Sequence, residues 1–299
     1  MPCRISFENT RRNGFTSSRS RSSRGTPPRA DCFRDAADEI KLHLITPDMS
    51  TRWHIGAKQL RGAIASYSKR FDLLEVRVAI ATEERRADPA VTPSPATLRR
   101  WRKSVPPPFH FAVVAGPQLS RVRPGENAER ELEAARAAID ALQARCFVLR
   151  TPPEVTPSPL WRERIAKLVA RFPRDVTHFV WEPSGVWETD DAAAQARAWD
   201  VVLAVDPARE PVPSGSVAYL RLRALGETRS FGPVALERIF RAVGAAREVF
   251  AIIETDSALL EAKRLRELAQ SAPAGAPGGQ TRLVRPRGGG IVVRDDEQE

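Results

Sequence analysis

One feature limits what this chain can fold into. From Trp53 onward, short apolar runs of four to eight residues alternate with segments that repeat at helical spacing. This alternation is typical of βαβ units, in which helical crossovers join parallel strands. The apolar runs predict eight strands, at residues 53–57, 73–80, 109–115, 146–150, 177–181, 201–205, 217–222 and 248–253. Eight such strands predict an α/β protein with a TIM (β/α)8-type barrel, and the alternative is an open doubly wound sheet.

Helix start and stop signals between the strands support this interpretation. Ser94 followed by Pro95 is a helix start, and the prolines at 106–108 end that helix. Asn127 is the expected N-cap of the long helix that joins the third and fourth strands. No helix fits residues 206–216, so one crossover is predicted to lack a helix. An early Gly-x-Gly-x-x-Gly motif is missing from the sequence, which argues against a dinucleotide-binding sheet.

The two ends of the chain differ in composition from the middle. Residues 1–48 begin with an Arg/Ser-rich stretch and predict a disordered basic N-terminal extension, either a basic arm or a transit-like segment, with Met49 as an alternative translation start. Residues 49–270 are the expected barrel domain. Residues 271–299 are rich in Gly and Pro and predict a disordered tail.

Composition narrows the class of protein. The sequence is 42% hydrophobic and 28% charged, and it has no apolar run of the roughly 18 residues that a membrane span needs. Cys3, Cys32 and Cys146 lie far apart without metal-ligand spacing, which predicts a reduced, cytoplasmic protein. The net charge is +10, of which +7 lies in residues 49–270. A basic field of this kind favours anionic partners.

Three carboxylates are the candidate catalytic residues. In TIM barrels the site lies at the C-terminal ends of the strands. Glu75, Glu182 and Asp206 fall near such ends on three different strands. Carboxylates that converge there can perform acid–base chemistry or hold a divalent cation. The alternative is that they pair with arginines inside the barrel.

Two arginines are the candidate anion ligands. Arg221 and Arg223 alternate with leucines along the seventh strand, and a guanidinium matches phosphate or carboxylate with two parallel hydrogen bonds. A buried arginine is costly unless it is paired. The alternative is therefore that Arg221 pairs with Glu75 or Asp206, while Arg223 is solvated.

His54 and Trp181 complete the candidate ligand contacts. His54 lies in the first strand and Trp181 at the end of the fifth. Core packing is the alternative for Trp181. The chain has only four histidines, and His110 and His178 fall near strand starts, so no metal site is predicted.

The order of four stretches resembles the YecE-like family, domain of unknown function 72. They are the opening Ile55-Gly56 with residues 67–76, the block 93–113 with Trp101 and Phe109-His110-Phe111-Ala112-Val113, the stretch 218–222, and the ending 248–255. The resemblance implies a TIM-barrel-like fold and brings no settled reaction, so the cofactor stays unknown. Val114 replaces the family's lysine and Arg223 its histidine, which predicts a divergent member with an altered mouth.

Three functions remain open at this point, and whether the protein is an enzyme is undecided. The first is binding of a small anionic ligand at the barrel mouth. The second is nucleic-acid binding through a basic surface that includes Arg99, Arg100, Arg102 and Lys103. The third is an inactive, diverged scaffold whose mouth is filled by Val78, Ile80 and Val114. The sequence does not predict an oligomeric state.

Overall fold

The structure is a computed structural model that describes residues 51–60, 62–80, 92–172, 177–224, 230–244 and 246–271. The predicted N-terminal extension at 1–48 and, apart from Ser271, the predicted tail at 271–299 lie outside the described residues.

Eight parallel strands form a nearly closed barrel, which confirms the TIM-type fold. They are β1 (Arg52–Ala57), β2 (Leu73–Arg77), β3 (His110–Val114), β4 (Cys146–Arg150), β5 (His178–Glu182), β6 (Val202–Val205), β7 (Val217–Leu222) and β8 (Glu248–Ile253). Their order around the sheet is β1-β8-β7-β6-β5-β4-β3-β2. Sequential strands from β2 to β8 therefore pair in parallel, and β1 pairs with β8, whereas β1 and β2 are the two ends of the sheet and share no strand ladder.

Helices follow most strands. They are α1 (Ile64–Tyr67), α2 (Pro95–Lys103), α3 (Pro117–Ser120), α4 (Glu126–Leu142), α5 (Pro159–Val169), α6 (Thr189–Trp199), α7 (Pro233–Ala242) and α8 (Ala258–Ser271). The crossover from β6 to β7 has no helix, as predicted. Among the described residues, no helix is long and apolar enough to cross a bilayer.

The start of α4 differs from the expectation that Asn127 caps it. Gly125 is the N-cap, and the helix begins at Glu126. Glu126 and Glu129 then occupy the first turn, where acidic side chains interact favourably with the positive end of the helix dipole.

Each strand separates two apolar layers because its side chains alternate between faces. The inner layer fills the barrel and comprises Leu73, Ala112, Val114, Cys146, Val148, Val180, Ala204, Tyr219, Phe250 and Ile252. The larger outer layer packs the strands against the helices and includes Phe111, Phe147, Phe179 and Trp181. Cys146 is buried in the inner layer.

Tyr67 and Gly56 close the seam between β1 and β2. The Tyr67 hydroxyl accepts a hydrogen bond from the Ala57 N–H at 2.8 Å and donates to the Leu73 carbonyl oxygen at 2.9 Å. The Asp72 N–H donates directly to the Ile55 carbonyl oxygen at 2.8 Å. A Cβ on Gly56 would lie 2.4 Å from the Leu73 oxygen, so the two strands approach this closely only with glycine at position 56.

Candidate functional site

Inward-facing positions carry charged side chains to the C-terminal mouth of the barrel. On β7, Tyr219 and Arg221 follow each other at a spacing of two and therefore share the inner face. Glu75 on β2 and Glu182 at the end of β5 reach the same region, because each contacts the Arg221 side chain. The structure thus brings three of the predicted site residues together.

Arg221 is the centre of this cluster, with a side chain that is only 2% exposed. Its Nη1 and Nη2 donate to the two carboxylate oxygens of Glu75, at 2.7 and 2.6 Å. Its Nε donates to Glu182 Oε2 at 2.9 Å. The Tyr219 hydroxyl also donates to Glu75 Oε1, at 2.5 Å. Arg221 therefore pairs with Glu75 inside the barrel, and this pairing uses both oxygens of that carboxylate.

A second layer of charges surrounds the first. Arg223 donates from Nη2 to Glu182 Oε1 at 2.6 Å and from Nε to Glu254 Oε2 at 3.3 Å. The Nε of Arg150 lies 3.1 Å from Glu182 Oε2, and the Nζ of Lys58 lies 3.8 Å from Glu254. The alternative that Arg223 is simply solvated is therefore wrong. It is ion-paired, with its side chain 35% exposed.

These contacts keep both Glu182 and Arg221 charged. Burial alone would raise the pKa of Glu182, but the guanidiniums of Arg221, Arg150 and Arg223 outweigh it and lower that pKa. Burial would lower the pKa of Arg221, but the adjacent carboxylates, led by Glu75, raise it well above its usual range. Both groups are ionised at neutral pH.

Asp206 has a different environment. It follows β6 and is buried, and its Oδ1 accepts a hydrogen bond from the Ala208 N–H at 3.1 Å. Its Oδ2 is buried without a hydrogen bond among the described residues and lies 3.7 Å from the Nε of Arg209. Burial raises the pKa of Asp206 above its usual value and outweighs the Ala208 N–H and Arg209. Burial, followed by the charge of Asp206, likewise raises the pKa of Glu210.

A cavity of about 230 Å³ joins these two environments. Its charged lining comprises Glu182, Asp206, Arg209, Glu210, Arg221 and Arg223. Trp187, Leu203 and Val205 are among its apolar walls. Two of the three predicted catalytic carboxylates therefore share one cavity with both predicted arginines, whereas Glu75 lies outside its lining.

The placement of His54 at this mouth is wrong. His54 pairs in register with Phe250, and its ring centroid lies 4.2 Å from that of His110, at the start of β3. Its Nε2 is 3.6 Å from Glu248, the first residue of β8. His54 therefore faces the opposite end of the barrel, because it lies four residues before Lys58, which reaches the mouth.

Trp181 is likewise not available to a ligand. It points to the outer face, opposite its neighbour Glu182, and is fully buried. Its indole N–H donates to Thr151 Oγ1 at 3.2 Å, and its ring packs against Trp187 and Trp199. The core-packing alternative is correct.

Sequence reasoning missed three contributors to the mouth. Tyr219 was recognisable by its spacing of two from Arg221 on the same strand. Arg209 and Glu210 lie in the helix-free crossover, where no periodic pattern indicates which side chains turn inward. Within the part of the chain that the structure describes, no group of three or more His, Cys, Asp or Glu side chains is arranged to hold a metal ion.

The fold and the charged mouth define a TIM-barrel protein, and comparison assigns the family. The sequence model of the family "Protein of unknown function DUF72" matches residues 91–283, which is more than half of the chain. The chain therefore belongs to this family, in agreement with the resemblance found in the sequence. A search of curated protein sequences gave no significant match.

Solved structures of the family share the fold. A DUF72 family protein from Enterococcus faecalis V583 is 14% identical, with a TM-score of 0.54, and the match covers 75% of this chain and 99% of that one. A DUF72 family protein from Thermotoga maritima MSB8 is also 14% identical, with a TM-score of 0.53 and coverage of 73% and 99%. At this identity the likeness shows the fold alone.

Proposed function

We propose that the barrel binds a small anionic ligand, bearing a phosphate or carboxylate group, in the mouth cavity. The observation that carries the proposal is that two guanidiniums line this cavity with N–H donors to spare. Arg223 uses Nε and Nη2 for carboxylates, while its Nη1 has no hydrogen bond among the described residues. Arg209 is 51% exposed, and its one ion pair with another described residue is the 3.7 Å contact with Asp206.

Arg221 has another role in this proposal. Its Nε, Nη1 and Nη2 already donate to Glu75 and Glu182. A ligand would therefore have to break a buried ion pair to reach it, which is costly. Arg221 is a positioning residue that fixes Glu182, and the anion contacts belong to Arg209 and Arg223.

Cavity size and lining indicate the class of ligand. The volume of about 230 Å³ is below the range of roughly 300–1,000 Å³ that drug-sized ligands occupy. Trp187, Leu203 and Val205 supply apolar contact for a short carbon skeleton. The carboxyl groups at the cavity can accept hydrogen bonds from hydroxyl groups of the ligand.

Acid–base chemistry in the same cavity is a second candidate. Two carboxyl groups whose environments push their pKa values apart are suited to opposite roles in proton transfer. Burial raises the pKa of Asp206, which makes it the better proton donor of the two, and the adjacent guanidiniums lower the pKa of Glu182, which would remain ionised. Glu75 is held by Arg221 and Tyr219 and would serve only to position Arg221.

The other two interpretations of the sequence have less support. On the basic face of α2, Arg102 donates Nη1 to the Phe109 carbonyl oxygen and Nη2 to that of Pro106, so its guanidinium is engaged within the chain. Of the residues expected to fill the mouth of an inactive scaffold, Val114 does lie in the inner layer, but Val78 would also have to point inward. Val78 instead packs in the outer layer, between strands and helices.

Calorimetric titration tests the proposal. The probes are inorganic phosphate, glycerol 3-phosphate and citrate, with neutral glycerol as the reference compound. At least one anion is expected to bind, and Arg223→Gln is expected to weaken it by tenfold or more. Arg238→Gln, an exposed arginine on α7, is the matched control and should leave binding unchanged. Equal affinity in wild type and Arg223→Gln, or equal binding of glycerol, would refute the proposal.

A further inference from the structure

A second group of arginines surrounds Trp161 at the rim of the barrel. Arg121 and Arg123 lie between α3 and α4, and Arg164 lies in α5, one turn after Trp161. The guanidinium carbon of Arg164 is 4.9 Å from the centroid of the Trp161 ring, and that of Arg123 is 5.8 Å away. We name these four residues the rim cluster. Arg121, Arg123 and Trp161 line a cavity of about 190 Å³ that is separate from the mouth cavity, and Arg164 lies against the Trp161 ring.

The guanidinium N–H donors of these three arginines have no partner among the described residues. Within the described residues, the side chains of Arg121, Arg123 and Arg164 make no hydrogen bond and no ion pair. Arg162, in the same helix, shows the contrast: its Nε donates to the Pro157 carbonyl oxygen at 2.9 Å and its Nη2 to Asp191 at 2.6 Å. Stacking on an aromatic ring holds the face of a guanidinium and leaves its in-plane N–H donors available.

The backbone turns two of these side chains toward one place. Val122 has φ of 51°, in the left-handed region that a β-branched residue rarely adopts. Val122 itself is buried, and its N–H donates to the Leu119 carbonyl oxygen at 2.9 Å. The flanking Arg121 and Arg123 both line the rim cavity. Strained backbone of this kind persists only where its surroundings impose it.

The charge of the rim cavity is unbalanced. Its lining contains Arg121, Arg123 and one acid, the exposed Glu154. Arg164 adds a further positive charge at Trp161. At the mouth, by comparison, each buried carboxylate at the centre faces a guanidinium at hydrogen-bond distance. The rim therefore has a positive charge that the part of the chain described by the structure does not neutralise.

We propose that the rim cluster is a second anion site that binds a phosphate group, either inorganic phosphate or the phosphate of an ester. Guanidiniums that are already oriented and have free paired donors match the geometry of phosphate oxygens. The loop that carries Pro152, Glu154 and Val155 separates this site from the mouth, and the Val155 carbonyl oxygen accepts a hydrogen bond from the Trp187 indole at 2.6 Å. The proposal uses none of the residues assigned to the mouth, so either can fail alone.

Trp161 makes the test direct, because it lies within the site. Titration of the full-length protein with inorganic phosphate should give a saturable change in tryptophan fluorescence that chloride at matched ionic strength does not give. The Trp161→Phe variant should lose the part of that signal that comes from the rim and keep any part that Trp187 gives from the mouth cavity. Phosphate and a phosphate monoester, followed in parallel, distinguish the two sources of the ligand.

Four variants locate the site. Arg123→Gln combined with Arg164→Gln should weaken phosphate binding at least tenfold. Glu154→Gln should strengthen it by about two- to threefold, since it removes the opposing charge. Arg130→Gln, an exposed arginine on α4, should leave the fluorescence titration unchanged, and Arg223→Gln should remove only the part of the signal that Trp187 gives from the mouth cavity. Unfolding curves establish that each variant is folded.

Two results would overturn the proposal. One is a chloride titration that matches phosphate at equal ionic strength, which means non-specific screening only. The other is an unchanged titration in the Arg123→Gln, Arg164→Gln double variant.

Discussion

The two ends of the barrel are both polar inside, but they are built from different chemistry. The mouth holds Arg221 and Arg223 among Glu75, Glu182 and Glu254. The opposite end, here named the floor, comprises His54, His110, His178, Arg145 and Glu248. The Nε2 atoms of His54 and His178 each lie 3.6 Å from Glu248, and Arg145 Nη2 lies 3.2 Å from the same carboxylate.

The difference concerns which groups can change charge. Arginine is protonated at any physiological pH, so the mouth network is permanent near neutrality. At the floor, burial lowers the pKa of all three histidines, and it lowers that of His110 to about 4, with further contributions from His54 and Arg145. The floor is therefore packed with neutral imidazoles at pH 7. Acid should affect the floor before it affects the mouth.

The largest expected effect is at the centre of the mouth. Arg221→Met leaves Glu75 and Glu182 buried without their main partner and should lower the free energy of unfolding by about 3–5 kcal/mol in urea denaturation. Arg221→Lys should recover only part of this loss, because an ammonium cannot make the paired contacts with Glu75. A loss below about 1 kcal/mol in the Met variant would show that the inner network is not what holds the mouth together.

Glu248→Gln tests the floor in the same way. It removes the carboxylate shared by Arg145 and two histidines and should cost about 2 kcal/mol, less than Arg221→Met because these groups are only half-buried. The same urea measurement applies. A cost equal to that of Arg221→Met would contradict the distinction between a buried centre and a half-buried one.

The pH dependence sharpens the comparison further. Because the folded-state pKa of His110 lies below that of an unfolded histidine, the unfolded chain binds protons first as pH falls. The contribution of the neutral His110 to the free energy of unfolding is complete above about pH 6.5 and is lost as the pH falls toward 4. Relative to His110→Phe, the wild type should lose about 1 kcal/mol across that window, after discounting for solvent screening of a half-buried ring.

Parallel unfolding curves at pH 7.5 and 5 measure this difference. A wild-type profile that runs parallel to that of His110→Phe would show that the histidine does not carry the acid sensitivity.

The smallest expected effect is at the outer edge of the mouth. Lys58→Met removes an exposed ammonium 3.8 Å from Glu254 and should change stability by less than about 0.5 kcal/mol. Thermal unfolding at low and high salt checks this. A destabilisation comparable to that of Glu248→Gln would mean that the exposed Lys58–Glu254 contact is coupled to the buried pair of Arg221 and Glu182.

Much of the fold was readable from the sequence, since apolar runs and helix start signals repeat locally. The strand-end rule also found Glu182, Asp206, Arg221 and Arg223. It named Glu75 and Asp206 as alternative partners of Arg221 but could not choose between them, because Glu75 and Arg221 are 146 positions apart and meet only when the barrel closes.

The predictions from the sequence were wrong where they depended on how far along a strand a residue lies, or on which face of the strand it occupies. His54 lies on an inward position, but too early on β1 to reach the mouth. Trp181 and Glu182 are neighbours on opposite faces of β5, and a shift of one residue exchanges their roles. Such a choice depends on the register with adjacent strands, which the sequence alone does not contain.

The central claim is that the mouth keeps guanidinium donors open beside a permanently paired centre. Calorimetric titration of the Arg209→Gln, Arg223→Gln double variant with the tightest of the anionic probes tests it most directly, in the Arg123→Gln, Arg164→Gln background so that the rim cluster contributes no binding. We expect binding to be lost while the free energy of unfolding stays within about 1 kcal/mol of the wild type, because Arg221 still pairs with Glu75 and Glu182. Binding at wild-type affinity in the folded double variant would contradict the claim.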